Sequence, residues 1–290
     1  MNLNWNLLDQ QWRERHDATQ LKALESALDK ALYNQGQERD YALLWRWARL
    51  SHFRAMQALQ ESEGGDSAKT DASEANGGAT SDANGGATSG ANGGEEKAAA
   101  DSRSSSAKAS SAKAKARGLK SGAAAREAAR LHFAAGASEA FEAARLQPNR
   151  VEGHFWAGVN SIEASRLAGT IAAARALPQA SRHIERSARI DETYHFAAPL
   201  RVSGRITHLR PMILGGNLDA AVYLLRRALQ IAPQNSTTLL YLAQALRADR
   251  QPAEARSVLR QLVEAPIDPD WRWEQERDKA IAHTLLLPQQ

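Results

Sequence analysis

The sequence predicts an all-α fold: a right-handed superhelix of degenerate helix–turn–helix repeats carrying a long disordered loop insertion. Three observations predict it. Small and apolar residues recur at helical spacing, as in Asn217–Pro233, which carries Ala221, Leu225, Ala228 and Leu229 on one face. The pattern then repeats: Ser236–Leu246 carries Leu239, Leu242, Ala243 and Leu246, and Gln251–Val263 carries Ala255 and Leu259. Finally, Val, Ile and Thr never gather into alternating runs, while Ala, Leu, Arg, Glu and Gln, all good helix formers, fill the periodic segments.

From the N-terminus, Asn4–Gln60 reads as three helices. Leu21, Leu24, Leu28 and Leu32 form an apolar stripe, and Asp40 suits the cap of a helix Tyr41–Leu59 carrying Leu44, Ala48 and Met56. Residues 61–121 are low-complexity, with Ala75, Ala83 and Ala91 each opening an Ala-Asn-Gly-Gly unit. Such a tandem expansion has too little apolar surface to offset the entropy of ordering. Helices resume at Ala123–Leu146 and continue as Val151–Arg166, Leu177–Ile190, Tyr194–Leu209, Asn217–Ile231, Ser236–Ala248, Pro252–Val263 and Trp271–Leu286. Ser236 reads as a cap, Pro211 as a helix end, and Gly215–Gly216 as a tight turn.

Counted in pairs, Tyr41–Leu59 is the first helix of a repeat and Ala123–Leu146 its second. Residues 1–60 and 122–290 then form one domain, with 61–121 as a loop insertion inside a repeat. Lengthening a loop to about 60 residues adds only around 2–3 kcal/mol of closure entropy. The alternative is two domains joined by a tether. Gly158, Gly204 and Ala243 mark small positions where paired helices touch. They lie 46 and 39 residues apart, so extra residues fall near Leu167–Leu177 and Leu209–Gly216.

Composition excludes several function classes. Cysteine is absent, which removes disulfides, thiolate catalysis and cysteine-bound zinc. No apolar run approaches the roughly 20 residues that span a bilayer. The opening residues show neither a basic nor an apolar leader region, so a cytoplasmic location is expected, with a periplasmic one if a leader is absent from this sequence. The net charge of +4 conceals two blocks that nearly cancel: 61–96 is acidic and 97–120 basic. No aromatic lies between Phe53 and Phe133, so the basic block offers no base-stacking platform and no nucleic-acid partner is expected. His183, His195 and His208 follow no metal-ligand spacing, and no nucleophile motif or phosphate loop is present. Neither enzymatic activity, metal nor cofactor is expected.

The recurring helix–turn–helix unit resembles the tetratricopeptide repeat, whose regular period is about 34 residues, although the units here are longer and degenerate. The segments His154–Asn160 (HFWAGVN), Pro178–Tyr194 (PQASRHIERSARIDETY), Pro199–Ala221 and Arg226–Leu246, with the closing Asp268–Ala280, follow in an order that resembles the T component of TRAP transporters (TatT-like). That resemblance covers about Val151–Leu287. It implies a superhelical repeat stack, a periplasmic lipoprotein partnering a solute-binding component, and a channel that holds a ligand. The missing lipid-accepting cysteine and the insertion depart from it.

In repeat stacks the first helix of each pair lines the inner side. Helical spacing puts Arg201, Arg205 and His208 on one face of Tyr194–Leu209, with Gln244 and Arg247 on the next first helix and Phe155, Val159 and Ile162 on the previous one. This reads as a groove, apolar at one end and cationic at the other, for a protein partner or a small organic or fatty acid. The arginine fork suits a carboxylate. The same arginines also read as ordinary solvated side chains. Trp45, Trp47 and Trp156 read either as ligand-lining rings or as core. The two functions in view are a transporter accessory protein and a cytoplasmic scaffold for protein–protein contacts.

Overall fold

The computed structural model describes residues 3–33, 40–74 and 122–287, with the backbone alone over 61–74. Its elements are α1 (Trp5–Arg13), α2 (Ala18–Tyr33), α3 (Tyr41–Glu74), α4 (122–146), α5 (Val151–Ala168), α6 (Thr170–Ile190), α7 (Tyr194–Leu209), α8 (Leu218–Ile231), α9 (Ser236–Ala248), α10 (Pro252–Glu264) and α11 (Arg272–Leu286). Two short 3₁₀ turns, Met212–Leu214 and Pro269–Trp271, connect them. Among the described residues there is no strand, and the all-α repeat architecture is the one expected.

The chain divides into two units, Met1–His52 with Phe133–Gln290, and Phe53–His132. In the smaller unit Phe53, Ala55 and Ala129 are buried. In the larger unit successive helices pack in pairs, α5 on α6, α7 on α8 and α9 on α10. Small residues sit where each pair touches. A Cβ on Gly158 would lie 2.6 Å from Ile184 Cδ1, and one on Gly204 would lie 2.8 Å from Leu225 Cγ. Ala243 is fully buried beside Leu239, Leu259 and Leu262. Gly136 of α4 similarly faces the carbonyl of Ala48 and the side chain of Ser51 on α3.

Four boundaries differ from expectation. Helix α3 runs to Glu74 rather than Leu59. Once a helix is nucleated, each added residue gains a hydrogen bond, so a polar sequence can still extend it. The remainder of the expected insertion, 75–121, lies outside the described residues. Helix α6 begins at Thr170, and Pro178 sits inside it. That proline is exposed, so water can satisfy the carbonyl its ring leaves without a donor. The cap of α9 is Asn235, whose Oδ1 accepts from Thr238 N at 3.0 Å; Ser236 is instead the first helical residue and turns to Asp278. In α7 the residues His195, Phe196 and Ala197 have φ of 51°, 59° and 56°, so a left-handed turn precedes the right-handed helix. Left-handed backbone costs about 1–2 kcal/mol per residue. The right-handed part then starts near Pro199, where a missing N–H is harmless.

Other local readings match the structure. Asp40 Oδ1 accepts from Leu43 N at 2.8 Å at the start of α3. Helix α7 ends before Pro211. Gly215 has φ of 87°, and a Cβ on Gly216 would lie 1.8 Å from the carbonyl of Arg210, so glycine is required in this turn.

Candidate functional site: a belt of rings and guanidiniums

The first helices of the pairs bring their aromatic residues together. Asn160 of α5 is fully buried; its Nδ2 donates to the carbonyl of Ala48 at 3.1 Å and its Oδ1 lies 2.9 Å from His52 Nδ1. This fastens α5 to α3 and sets His52 against Trp156, 5.5 Å apart. Trp156 donates through Nε1 to Tyr194 Oη at 3.0 Å and packs 5.6 Å from His195. His195 stands edge-on to Trp271 at 5.2 Å, and Phe196 lies 5.3 Å from the same indole. The left-handed turn at 195–197 therefore directs two successive rings towards the C-terminal end of the chain.

Arginines run beside these rings. Arg201 donates to the carbonyl of Phe196 at 2.9 Å, holding the left-handed turn, and to Asn235 Oδ1 at 3.3 Å, with its guanidinium 5.6 Å from the Trp271 ring. Arg205 donates to Gln244 Oε1 at 2.7 Å, lies 3.3 Å from His208 Nδ1 and stacks 4.7 Å from Tyr241. Arg49 stacks 4.1 Å from Trp12 and reaches Asp9 at 3.3 Å. Arg15, 5% exposed, donates to both oxygens of Glu274 at 2.8 Å and to the carbonyl of Asp270. This clasp joins the α1–α2 connection to the start of α11.

Beneath the belt lies a buried polar network at the N-terminus of α9. Asp278 is fully buried and accepts from Ser236 Oγ at 2.8 Å, from Thr237 Oγ1 at 2.6 Å and from Arg277 at 2.7 Å. Trp271 Nε1 donates to Ser236 Oγ at 3.1 Å. A buried carboxylate is tolerated because every lone pair finds a donor.

The belt shifts the ionisation of its members. Burial, followed by the charges of Arg201, Arg49 and Arg15, drives the His195 imidazole well below its ordinary value. Burial also lowers His52 and raises the hydroxyls of Tyr194 and Tyr241. Burial brings Arg49 and Arg201 down to about 10, so both stay charged at neutral pH. The site at pH 7 is thus neutral imidazoles and phenols among cationic guanidiniums.

The residues expected from sequence fall into two groups. Arg205, His208 and Gln244 meet as one half-buried cluster. Arg247, Val159 and Ile162 are half-buried on their first helices. Arg201 and Phe155 are different. Arg201 was expected to face solvent and is 5% exposed, because the carbonyl of Phe196 and Asn235 draw it inward. Phe155 is 3% exposed, packed against Tyr194 and Trp156. Trp45, Trp47 and Trp156 are all core residues, at 9%, 4% and 3% exposure. Sequence reading missed Tyr194, His195, Tyr241 and Trp271. For Tyr194 and His195 the signal was the placement of rings at the start of a first helix, before Pro199, whereas Tyr241 sits in the middle of α9 among apolar residues that gave no such signal. Among the described residues no group of three metal-binding side chains occurs, and no helix is long and apolar enough to cross a membrane.

Residues 213–272 match the tetratricopeptide repeat family, spanning the 3₁₀ turn at Met212–Leu214, α8, α9, α10 and the turn before α11. The chain carries a tetratricopeptide repeat there. No curated protein matches the chain.

Proposed function

We propose that the chain is a non-catalytic scaffold that holds an acidic segment of another protein against the face shared by α5, α7 and α9. Tetratricopeptide repeats stack into extended binding surfaces, and the match of residues 213–272 to that repeat supports this reading. The observation that carries the reading is the pairing of the cations. Arg205 and Arg247 are half-buried on adjacent first helices, and neither meets a carboxylate among the described residues. Arg205 directs only Nη1 at Gln244 and His208, so the other N–H groups of its fork and the fork of Arg247 can donate to a partner's carboxylate. Val159 and Ile162, half-buried on α5, add apolar surface to the same face. That addition favours a second reading, in which the carboxylate belongs to a small organic or fatty acid. An accessory role beside a TRAP-type transporter rests on the resemblance of 151–287 alone.

The test is a thermal-shift titration with carboxylate-ended acidic peptides, their amidated forms, and organic and fatty acids. A rise in melting temperature is expected with carboxylates, and Arg205→Ala and Arg247→Ala should each weaken binding by about 1.5–3 kcal/mol, the range for hydrogen bonds to charged groups. If neither peptides nor acids shift the melting point near millimolar concentration, the reading fails. We also read 1–60 and 122–290 as one repeat stack interrupted by an insertion, supported by the contact of Gly136 with Ala48 and Ser51. Replacing 75–121 by a short Gly/Ser loop should then leave a single cooperative melt of unchanged midpoint.

A further inference from the structure

We propose that the exposed face of α6, together with the loop between α7 and α8, docks onto an anionic lipid surface. Two independent observations meet there. Helix α6 exposes Arg175, Arg182 and Arg189, spaced by seven residues and therefore in line on one face. Glu185 is the one acid of α6, lying between the last two; none of the three arginines enters an ion pair among the described residues. The fourth arginine of the helix, Arg186, turns instead to Asn149 at 2.8 Å. The acids that follow, Asp191 and Glu192, are engaged by Thr193 and Arg227. The stripe thus sets three exposed arginines against the single carboxylate of Glu185 and stays net cationic.

The loop supplies the apolar element. Ile213 is 93% exposed and Met212 85% exposed, at the tip of the 3₁₀ turn. The loop is built rather than loose. Gly216 N donates to the carbonyl of Pro211 and Gly215 N to that of Met212, each at 3.0 Å. Arg210 Nη2 donates to Ser181 Oγ at 3.2 Å, fastening the loop's stem to α6 beside Arg182. Two large apolar side chains are thus exposed on a loop whose stem is fastened to the arginine-bearing helix.

This combination fits a bilayer interface better than other anionic partners. Apolar tips bury themselves at the boundary of headgroups and acyl chains, while arginines stay among the headgroups. A protein interface of ordinary size would need about 800 Å² per partner, with a contiguous apolar centre. Here the apolar surface is a projecting point. Nucleic acid would want stacking rings, and Thr170–Ile190 holds no Phe, Tyr or Trp.

The experiment is flotation of the full chain with vesicles of phosphatidylcholine and of a phosphatidylcholine–phosphatidylglycerol mixture, at low and high salt. Binding is expected to the mixed vesicles alone and to weaken with salt. Each arginine near such a surface contributes about 1 kcal/mol, so the triple change Arg175→Gln, Arg182→Gln, Arg189→Gln should lower partitioning on the order of a hundredfold. Met212→Ser with Ile213→Ser should lower it about tenfold or more, from lost apolar burial. All these side chains are exposed, so both variants should melt like the parent. No flotation with either vesicle, equal flotation with both, or an undiminished partition of either variant would overturn the proposal. So would an acidic protein that competes for the stripe while wild-type chain ignores lipid.

Discussion

Helices α8, α9 and α10 are 14, 13 and 13 residues long, two of them start at an Asn cap, and the regular repeat runs through them. Helices α5, α6 and α7 are 18, 21 and 16 residues long, with a proline inside one and a left-handed turn inside another. The helix interiors of the first region bury Ala, Leu and Val, with Val222, Leu225, Leu242, Ala245, Leu246 and Ala255 in one cluster, and its buried polar residues are confined to Asn235–Thr238 at the start of α9. The second buries or half-buries histidine, tyrosine, tryptophan and arginine. Where the chain keeps repeat spacing, packing accounts for its residues. Where it departs, side chains appear that packing does not require, which is how sites depart from local rules.

Histidine gives the widest test of this contrast. Residues 213–272 contain none, whereas α3 and α5–α7 hold His52, His154, His183, His195 and His208, all pushed below their ordinary values chiefly by burial. His183 falls to about 4, and its Nδ1 lies 3.0 Å from His154 Nδ1. His154 Nε2 can only donate to the carbonyl of Pro148, so its Nδ1 must accept from a neutral His183. A lowered folded value means the unfolded chain binds more protons between about 4 and 6.5. Stability is therefore complete above about 6.5 and lost as pH falls towards 4. Hydrogen exchange at pH 5 against pH 7 should show α5–α7 losing protection before α8–α10. Equal loss in both regions would remove the distinction.

The next largest effect belongs to Asp278. Asp278→Ala should cost about 3–5 kcal/mol, because it strands Arg277 and two buried hydroxyls. Chemical denaturation would measure it. A loss below about 1 kcal/mol would mean the network is not what docks α9 on α11. Arg201 and Arg205 then separate the two roles an arginine can take on one helix. Arg201→Ala should destabilise by about 1.5–3 kcal/mol, and Arg205→Ala by about 1 kcal/mol or less, since water can replace its bond to Gln244. Equal losses would make the belt a structural feature throughout.

The pattern of Ala and Leu made α8–α10 legible to within a residue or two, because burial there depends on spacing alone. It also made Gly158, Gly204 and Ala243 legible as contact points. The belt was half legible. Arg205, His208 and Gln244 follow from helical spacing on adjacent helices. Arg201 does not, because its direction depends on a left-handed turn at His195, Phe196 and Ala197, none of them a glycine that would flag it. The Arg15–Glu274 clasp joins residues 259 apart in sequence, and neither residue has a local reason to be chosen.

Gly204 tests the helix pairing at the junction of the two regions. A Cβ there meets Leu225 Cγ at 2.8 Å and the carbonyl of Ala221 at 3.2 Å. The leucine branch can shift, but the carbonyl belongs to the α8 backbone. Gly204→Ala should therefore cost less than Gly204→Leu, which should cost about 1–3 kcal/mol by over-packing. Parity of Gly204→Leu with the parent would mean α7 and α8 do not close on each other.

The smallest effect comes from the two Asn caps of the regular region. Asn217 Oδ1 accepts only from Ala220 N, at 2.9 Å and near solvent, so Asn217→Ala should cost about 1 kcal/mol, the usual value of a cap. Asn235 performs the same role while buried. Its Oδ1 also accepts from Thr238 Oγ1 at 2.9 Å and from Arg201, so Asn235→Ala removes a cap and leaves a buried cation short of an acceptor. Asn235→Ala should therefore exceed Asn217→Ala in equilibrium unfolding. Its excess should vanish in an Arg201→Ala background, because the coupling runs through that one guanidinium. An excess that survives there would place the coupling elsewhere and leave the belt and the regular repeat energetically separate.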